Sequence, residues 1–319
     1  MQEEISILLS ANEKYSRQCA VTILSILGNT SLPQKINFYV LTPDISIDNR
    51  EKIKKLCHYF DSKVIFVDID ITLFDAFPIP ALHSPTSKFK KSKDVYSRLL
   101  GPDLLKQCNR LLYLDCDLVV LGDVIDLFYS SLNGMPIGAV PHVQFPYQEV
   151  FVKTFEMQEV DIYFNSGVIL IDAEMWRNKV YSNNVVDLLE KYGDKISFAD
   201  QDILNILFWK NYFHLPGIWN VESRLYKAKL LGLPQTEETT ERMRSPQIIH
   251  YTGPEKPWLS RQYVPKREIY LEYSDRLSSL LNWLPNSDIR GCHPLKFSSF
   301  VWSCLYFRGA SLKKRFLFY

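Results

Sequence analysis

From Ile5 to Ile69 the chain alternates short apolar runs with longer amphipathic ones. Ile5–Leu9, Ile36–Leu41 and Lys63–Ile69 read as strands, and Tyr15–Leu27 and Ile47–Phe60 read as the helices between them. In the first helix Ala20, Ile23, Leu24 and Leu27 fall on or near one face. The second sets Ile53 and Leu56 against a charged face. A strand–helix–strand–helix–strand rhythm calls for helical crossovers packed on a mostly parallel sheet. The expected class is α/β, with a mostly parallel, helix-covered sheet.

Later segments extend the pattern. Leu111–Leu114, Ile137–Val140 and Gln247–Tyr251 read as strands, and Tyr163–Ile171 as a run interrupted at Asn165-Ser166-Gly167. Val119–Phe128 turns at Gly122-Asp123 into a short helix. Val95–Leu105 reads as helical up to a break at Gly101-Pro102. Val180–Tyr192, Ala199–Trp209 and Lys266–Leu281 read as further helices. The polar Thr236–Arg244 reads as a surface loop, and the aromatic, glycine-free Gln144–Gln158 is suited to cover a cleft.

The balance of 46% hydrophobic and 23% charged residues, with net charge +1, is that of a globular protein and lacks the basic excess of a nucleic-acid binder. The six cysteines form no CxxC pair, which speaks against a zinc ribbon or a redox motif and for buried thiols in a reducing compartment. Met-Gln-Glu-Glu-Ile lacks the basic start of a secretory signal, and no run of about 18 apolar residues occurs. The expected location is cytoplasmic.

Within this frame Asp115-Cys116-Asp117 follows an apolar, strand-like run. Residues i and i+2 of a strand point the same way, so the two carboxylates can converge on one ligand while Cys116 faces the core. Adjacent carboxylates repel, and a divalent cation carrying phosphate oxygens resolves the repulsion. Read alone, the pair could equally cap a turn. A distant cluster, His250-Tyr-Thr-Gly253-Pro-Glu-Lys256-Pro-Trp258, adds an imidazole, a glycine turn and a lysine on a loop stiffened by prolines.

Taken together, these motifs resemble the family 8 retaining glycosyltransferases over roughly residues 5–260. Tyr113 to Asp117 looks like the family's DxD motif. Tyr163 to Val168 looks like its FNxG motif, Phe198 to Asn205 like its DQD helix, and His250 to Trp258 like its HxxGxxKPW motif. The resemblance implies a GT-A fold, a Rossmann-like mixed, mostly parallel sheet with helices on both faces, and transfer of glucose or galactose from UDP-glucose or UDP-galactose to a glycan acceptor such as lipopolysaccharide. Asp115, Asp117 and His250 would bind Mn²⁺, with Mg²⁺ as the alternative. Gly253 and Lys256 would contact the diphosphate. Ser10, Ala11, Asn12, Lys14 and Tyr15 would lie at the nucleotide, and Arg98 and Cys116 at the donor. Asn165, Gly167, Asp200 and Gln201 would line the sugar and the reacting centre. The family commonly carries an acidic residue at the position of Asn12 and asparagine at that of Lys14. Asn12 keeps a donor and an acceptor for a uracil edge, and Lys14 adds charge.

Plainer readings exist for single residues. His250 could be a core histidine, Asn165 and Asp200 could be caps, and Arg98 could pair with Asp94 one turn away. For the whole chain the alternatives are a non-catalytic nucleotide-sugar binding module and a transferase for a protein-linked glycan. A nucleotidyltransferase would need a glycine-rich basic loop after the first strand, which Ser10 to Lys14 is not.

Residues 1–285 are expected to form the catalytic domain, and 286–319 a tail. Beyond Pro294 the tail holds Lys296, Arg308, Lys313, Lys314 and Arg315, no acidic residue, and eight aromatics, a composition suited to a membrane surface.

Overall fold

The computed structural model describes residues 4–78, 93–143, 147–157, 161–179, 181–259 and 263–285. The tail at 286–319, with its expected membrane attachment, lies outside the described residues, as do parts of the segment Gln144–Gln158. The strands are β1 (Ile5–Ser10), β2 (Ile36–Thr42), β3 (Lys63–Asp68), β4 (Arg110–Leu114), β5 (Leu118–Val120), β6 (Ile137–Pro141), β7 (Phe164–Asp172), β8 (Phe213–His214), β9 (Val221–Glu222) and β10 (Ile248–His250).

Among the described residues, seven strands form one sheet in the order β3-β2-β1-β4-β7-β6-β8, and three form a second in the order β5-β10-β9. Among the described residues of the large sheet, only β7 runs against its neighbours. Leu8 of β1 lies beside Tyr113 of β4. The chain therefore leaves β1 toward β2 on one side and returns as β4 on the other. The carboxyl ends of β1 and β4 form the crevice where open α/β sheets bind ligands.

The helices follow from apolar faces laid on this sheet. Ser16–Asn29, Ile47–Tyr59 and Arg267–Leu281 cover one face, with Ile23, Leu24, Ile53 and Leu277 fully buried. Ala173–Asn178, Tyr181–Tyr192 and Asp200–Leu207 cover the other, around Trp176, Phe208 and Ile203. Arg17 locks the last helix to the first: its guanidinium donates to Ser274 Oγ at 2.9 Å and to the Trp283 carbonyl at 3.1 Å. The four cysteines among the described residues are free and buried.

Three local expectations need correction. Tyr163–Ile171 is not interrupted, because β7 runs continuously through Asn165-Ser166-Gly167. Those polar residues stay in a buried strand because Gln201 and Asn220 satisfy their hydrogen bonds. Thr236–Arg244 is a helix, Glu237–Arg244, rather than a loop. Thr236 Oγ caps it by accepting from Thr239 N at 3.1 Å, and Thr239 and Arg242, although polar, are the buried side. Val95–Leu105 does not form one α-helix broken at Gly101-Pro102. A 3₁₀ stretch, Lys93–Leu100, precedes a short α-helix that begins there, Gly101–Leu104. Proline fits the first turn of a helix, and a Cβ on Gly101 would come within 2.3 Å of Leu8.

Candidate active site at the junction of the two sheets

Asp115-Cys116-Asp117 bridges the two sheets. Asp115 continues the pairing of β4 with β7, its N–H donating to the Gly167 carbonyl at 2.9 Å. Asp117 belongs to the small sheet, its carbonyl accepting from Tyr251 N at 2.9 Å. His250, the last residue of β10, pairs in register with Leu118 on one side and Glu222 on the other. Its Nε2 lies 2.9 Å from Asp117 Oδ1 and 3.5 Å from Asp115 Oδ2. The imidazole needs a bare strand beneath it, since a Cβ on Gly167 would sit 2.2 Å from its Cε1.

Each carboxylate has its own cation. Arg98 donates to Asp115 Oδ1 at 2.8 Å and to the Ser166 carbonyl at 2.8 Å, its Nε lies 3.1 Å from Asp200 Oδ2, and its guanidinium stacks 4.3 Å over Tyr113. The Tyr113 hydroxyl also donates to Asp115 Oδ1, at 2.8 Å. Lys256 donates to Asp117 Oδ2 and, at 2.8 Å, to the Tyr251 carbonyl. It reaches them from a turn in which Gly253 takes φ +82°, a left-handed conformation suited to glycine.

Burial alone would raise the Asp117 pKa, but Lys256 and His250 outweigh it and hold the carboxyl well below its ordinary range. Burial disfavours the His250 imidazolium, yet Asp117 overrides it and the pKa stands above the usual value. Asp200 goes the other way: burial, reinforced by Asp115 and opposed by Arg98, pushes it up to about 6.

One ligand atom from each of Asp115, Asp117 and His250 lies within 4.8 Å of the others. Two carboxylate oxygens and an imidazole nitrogen on a bare strand are a donor set that fits Mn²⁺ or Mg²⁺.

The remaining expected residues surround this point. Ser10 ends β1 and Ala11 follows it, and Cys116 turns its buried thiol onto the Ser10 carbonyl at 3.4 Å, away from the two carboxylates. The Asn12 amide is engaged at both ends, accepting from Tyr15 N at 3.2 Å and donating to Asp94 Oδ2 at 2.7 Å. Asp94 thus serves Asn12 while Arg98 turns to Asp115 and Asp200. Lys14 is exposed, and Tyr15 packs edge-on against Trp258 with ring centroids 5.7 Å apart. Gln201 Oε1 accepts from Asn165 Nδ2 and from Ser166 N, both at 3.1 Å, and its Nε2 donates to the Tyr163 hydroxyl at 3.1 Å. Asp200 accepts from Ser166 Oγ at 3.1 Å.

The family profile described as "Glycosyl transferase family 8" matches residues 6–262. The chain belongs to this family. It is a glycosyltransferase, and its fold is GT-A. This family 8 chain is 28% identical to General stress protein A of Bacillus subtilis over 280 residues, covering 85% of this chain and 93% of the relative. It is 27% identical to Lipopolysaccharide 1,2-glucosyltransferase of Escherichia coli over 273 residues, covering 84% and 77%. A solved structure of the galactosyltransferase LgtC with donor and acceptor sugar analogues is similar with a TM-score of 0.75 at 26% identity, covering 91% of this chain and 100% of that one.

In this family 8 enzyme sequence reading missed several residues that touch the site. Tyr113 was within reach, since strand alternation puts it on the side of Asp115. Asn220 was not, because it precedes β9, a two-residue strand with no periodic signal. Nor were His142 and Glu222, whose Nε2 and Oε2 lie 3.3 Å apart beside the imidazole site. There burial dominates and takes the His142 pKa down to about 3.

Proposed function

We propose that this glycosyltransferase moves a hexose, glucose or galactose, from a UDP-sugar to a surface-glycan acceptor such as lipopolysaccharide, with retention and with a divalent cation, Mn²⁺ before Mg²⁺. The observation that carries the reading is the convergence of Asp115, Asp117 and His250 within 4.8 Å, beside Lys256 and at the carboxyl ends of β1 and β4. The names of the glucosyltransferase and galactosyltransferase relatives support the hexose.

The chemical difficulty is departure of a nucleoside diphosphate as negative charge grows on its bridging oxygen. A cation held by Asp115, Asp117 and His250 would supply Lewis-acid stabilisation of that charge. Lys256, on its flexible stem, would leave Asp117 for the phosphates and add a second positive charge. Ser10, Ala11, Asn12, Lys14 and Tyr15 would bound the nucleotide, and Gly253 would let the backbone approach the diphosphate. Cys116 would hold the loop between its flanking carboxylates by anchoring in the core.

Beneath the sugar, Gln201 has its oxygen occupied by Asn165 and Ser166 and offers only an amide, a poor nucleophile. Asp200 is drawn toward Arg98 and Ser166 and would hold sugar hydroxyls rather than attack carbon. Retention then proceeds by attack from the face the diphosphate leaves, with that leaving group taking the acceptor's proton. A glycosyl adduct trapped on Asp200 would overturn this order of events.

The deciding experiment is release of nucleoside diphosphate from UDP-, GDP- and TDP-sugars with Mn²⁺ or EDTA. Turnover of one UDP-hexose that needs Mn²⁺ is expected. Metal-independent turnover, or preference for another base, would refute the corresponding part of the reading. We further propose that the enzyme works in the cytoplasm and sits on the membrane surface through 286–319. Truncation after Pro294 should abolish sedimentation with anionic liposomes; unchanged sedimentation would rule the tail out as the attachment. No helix among the described residues is long and apolar enough to cross a membrane.

A further inference from the structure

Asn220 is buried at 3% exposure between the imidazole of His250 and the amide of Asn165, and it lies outside every motif read from the sequence. Its Oδ1 is 2.9 Å from His250 Nδ1, and its Nδ2 donates to Asn165 Oδ1 at 2.9 Å. Asn165 in turn accepts from Gly167 N at 2.9 Å and donates from Nδ2 to Gln201 Oε1, which also accepts from Ser166 N.

The polarity of this chain of amides is fixed by two groups that can only donate. The Gly167 N–H faces one atom of the Asn165 amide, which must therefore be the oxygen. The Ser166 N–H does the same for Gln201. With Asn165 Oδ1 an acceptor, the Asn220 atom facing it must be the NH₂, and the other atom of Asn220 must be its oxygen. An amide oxygen has no proton to give, so His250 Nδ1 carries the hydrogen of this contact. The opposite ring nitrogen, Nε2, is the one aimed at Asp117 and Asp115.

We propose that Asn220 is a positioning residue that sets the tautomer and rotation of His250, presenting the Nε2 lone pair to a divalent cation. The same side chain ties that orientation to Asn165 and Gln201, so the imidazole and the sugar-facing amides are aligned as one unit by the backbone N–H groups of Ser166 and Gly167. The proposal rests on the reading of Asp115, Asp117 and His250 as a cation site. Groups that orient a ligating imidazole through its other nitrogen typically contribute about 10–100-fold in metal affinity.

The test is a Mn²⁺ titration followed by loss of the free-ion electron paramagnetic resonance signal, with and without UDP, on wild type, Asn220→Leu, Asn220→Asp and His250→Ala. Asn220→Leu, which removes both contacts at similar size, should weaken Mn²⁺ binding about 10–100-fold. Asn220→Asp still accepts from Nδ1 but cannot donate to Asn165. It should bind Mn²⁺ at least as tightly as wild type while kcat falls, a split that a general loss of structure would not give. Wild-type Mn²⁺ affinity in Asn220→Leu, with His250→Ala weakened, overturns the role of Asn220. Wild-type affinity in both variants overturns the cation site itself. Should Asn220→Leu not fold, the wild-type enzyme decides: long-range ¹H–¹⁵N correlation spectra with Mg²⁺ should show a protonated Nδ1 and an unprotonated Nε2 on His250. The reverse tautomer refutes the proposal.

Discussion

Asp115 and Asp117 are two residues apart, yet each is held by a different part of the molecule. Asp115 belongs to the large sheet and faces Arg98, which is fixed by Ser166, by stacking on Tyr113 and by a second carboxylate, Asp200. Asp117 belongs to the small sheet and faces Lys256, a point charge on a flexible stem. An arginine whose planar fork is spent on several partners behaves as a permanent part of the scaffold. A lysine with one carboxylate and one carbonyl can exchange partners without disturbing the core. The two cations beside one motif are therefore held differently: Arg98 by several partners at once, Lys256 by one carboxylate and one carbonyl.

Asp117→Asn should do the most damage to turnover. It removes the proposed cation ligand and is expected to lower diphosphate release on the order of 10²-fold or more. Retained Mn²⁺-dependent release in this variant would dissolve the distinction between the two halves. Arg98→Met and Lys256→Met sharpen it directly. The first strips the buried Asp200 and the half-buried Asp115 of their shared guanidinium and should cost about 3–5 kcal/mol in urea unfolding. The second should leave urea unfolding within about 1 kcal/mol of wild type while lowering turnover about 10²-fold. Equal stability losses would show that both cations are structural. Gly167→Ala comes next: its methyl meets the imidazole, so Mn²⁺ affinity should fall about tenfold or more, as for disturbed ligand orientation elsewhere. Calorimetric titration with Mn²⁺ would reveal it.

The smallest effect is in pH, where two buried groups near the site differ in sign. The folded Asp200 pKa, about 6, is above its unfolded value of 3.8, so the folded state takes up the extra proton and this group adds stability as pH falls through 6. The folded His142 pKa, about 3, is below its unfolded value of 6.5, so the unfolded state takes up the proton first and stability is lost as pH falls from 6.5. In urea titrations at pH 7 and pH 5 in EDTA, Asp200→Asn should make the acid loss steeper and His142→Gln shallower. Each change is on the order of 1 kcal/mol. Matching slopes would refute both shifts.

These contrasts also show where the sequence was legible. The βαβαβ rhythm was readable because continuous apolar runs and one-sided helices leave a local periodic trace. Asp115, Asp117, His250 and Lys256 were readable because each lies in a short cluster of unusual residues. The helix Glu237–Arg244 was not, because its buried side is made of Thr239, Arg242 and Met243 and gives no apolar stripe. The continuity of β7 was hidden for a related reason. Asn165, Ser166 and Gly167 disfavour a strand locally, and what keeps them in one is hydrogen bonding to Gln201 and Asn220, far away in the chain. Asn220 and Glu222 acquire their places only through the pairing of β9 with β10.

The bridging position of Asp115-Cys116-Asp117 has a mechanical consequence. Any sliding of the small sheet against the large one changes the separation of the two carboxylates, and His250 joins them from 133 positions beyond Asp117. An ion gripped by all three would act as a rivet through the seam, closing a long loop as a cross-link does. It would bind the folded chain and not the unfolded one, so its grip would appear as heat resistance that grows with ion concentration. The reagent that activates the donor would then also report, through the melting temperature alone, whether the seam is shut.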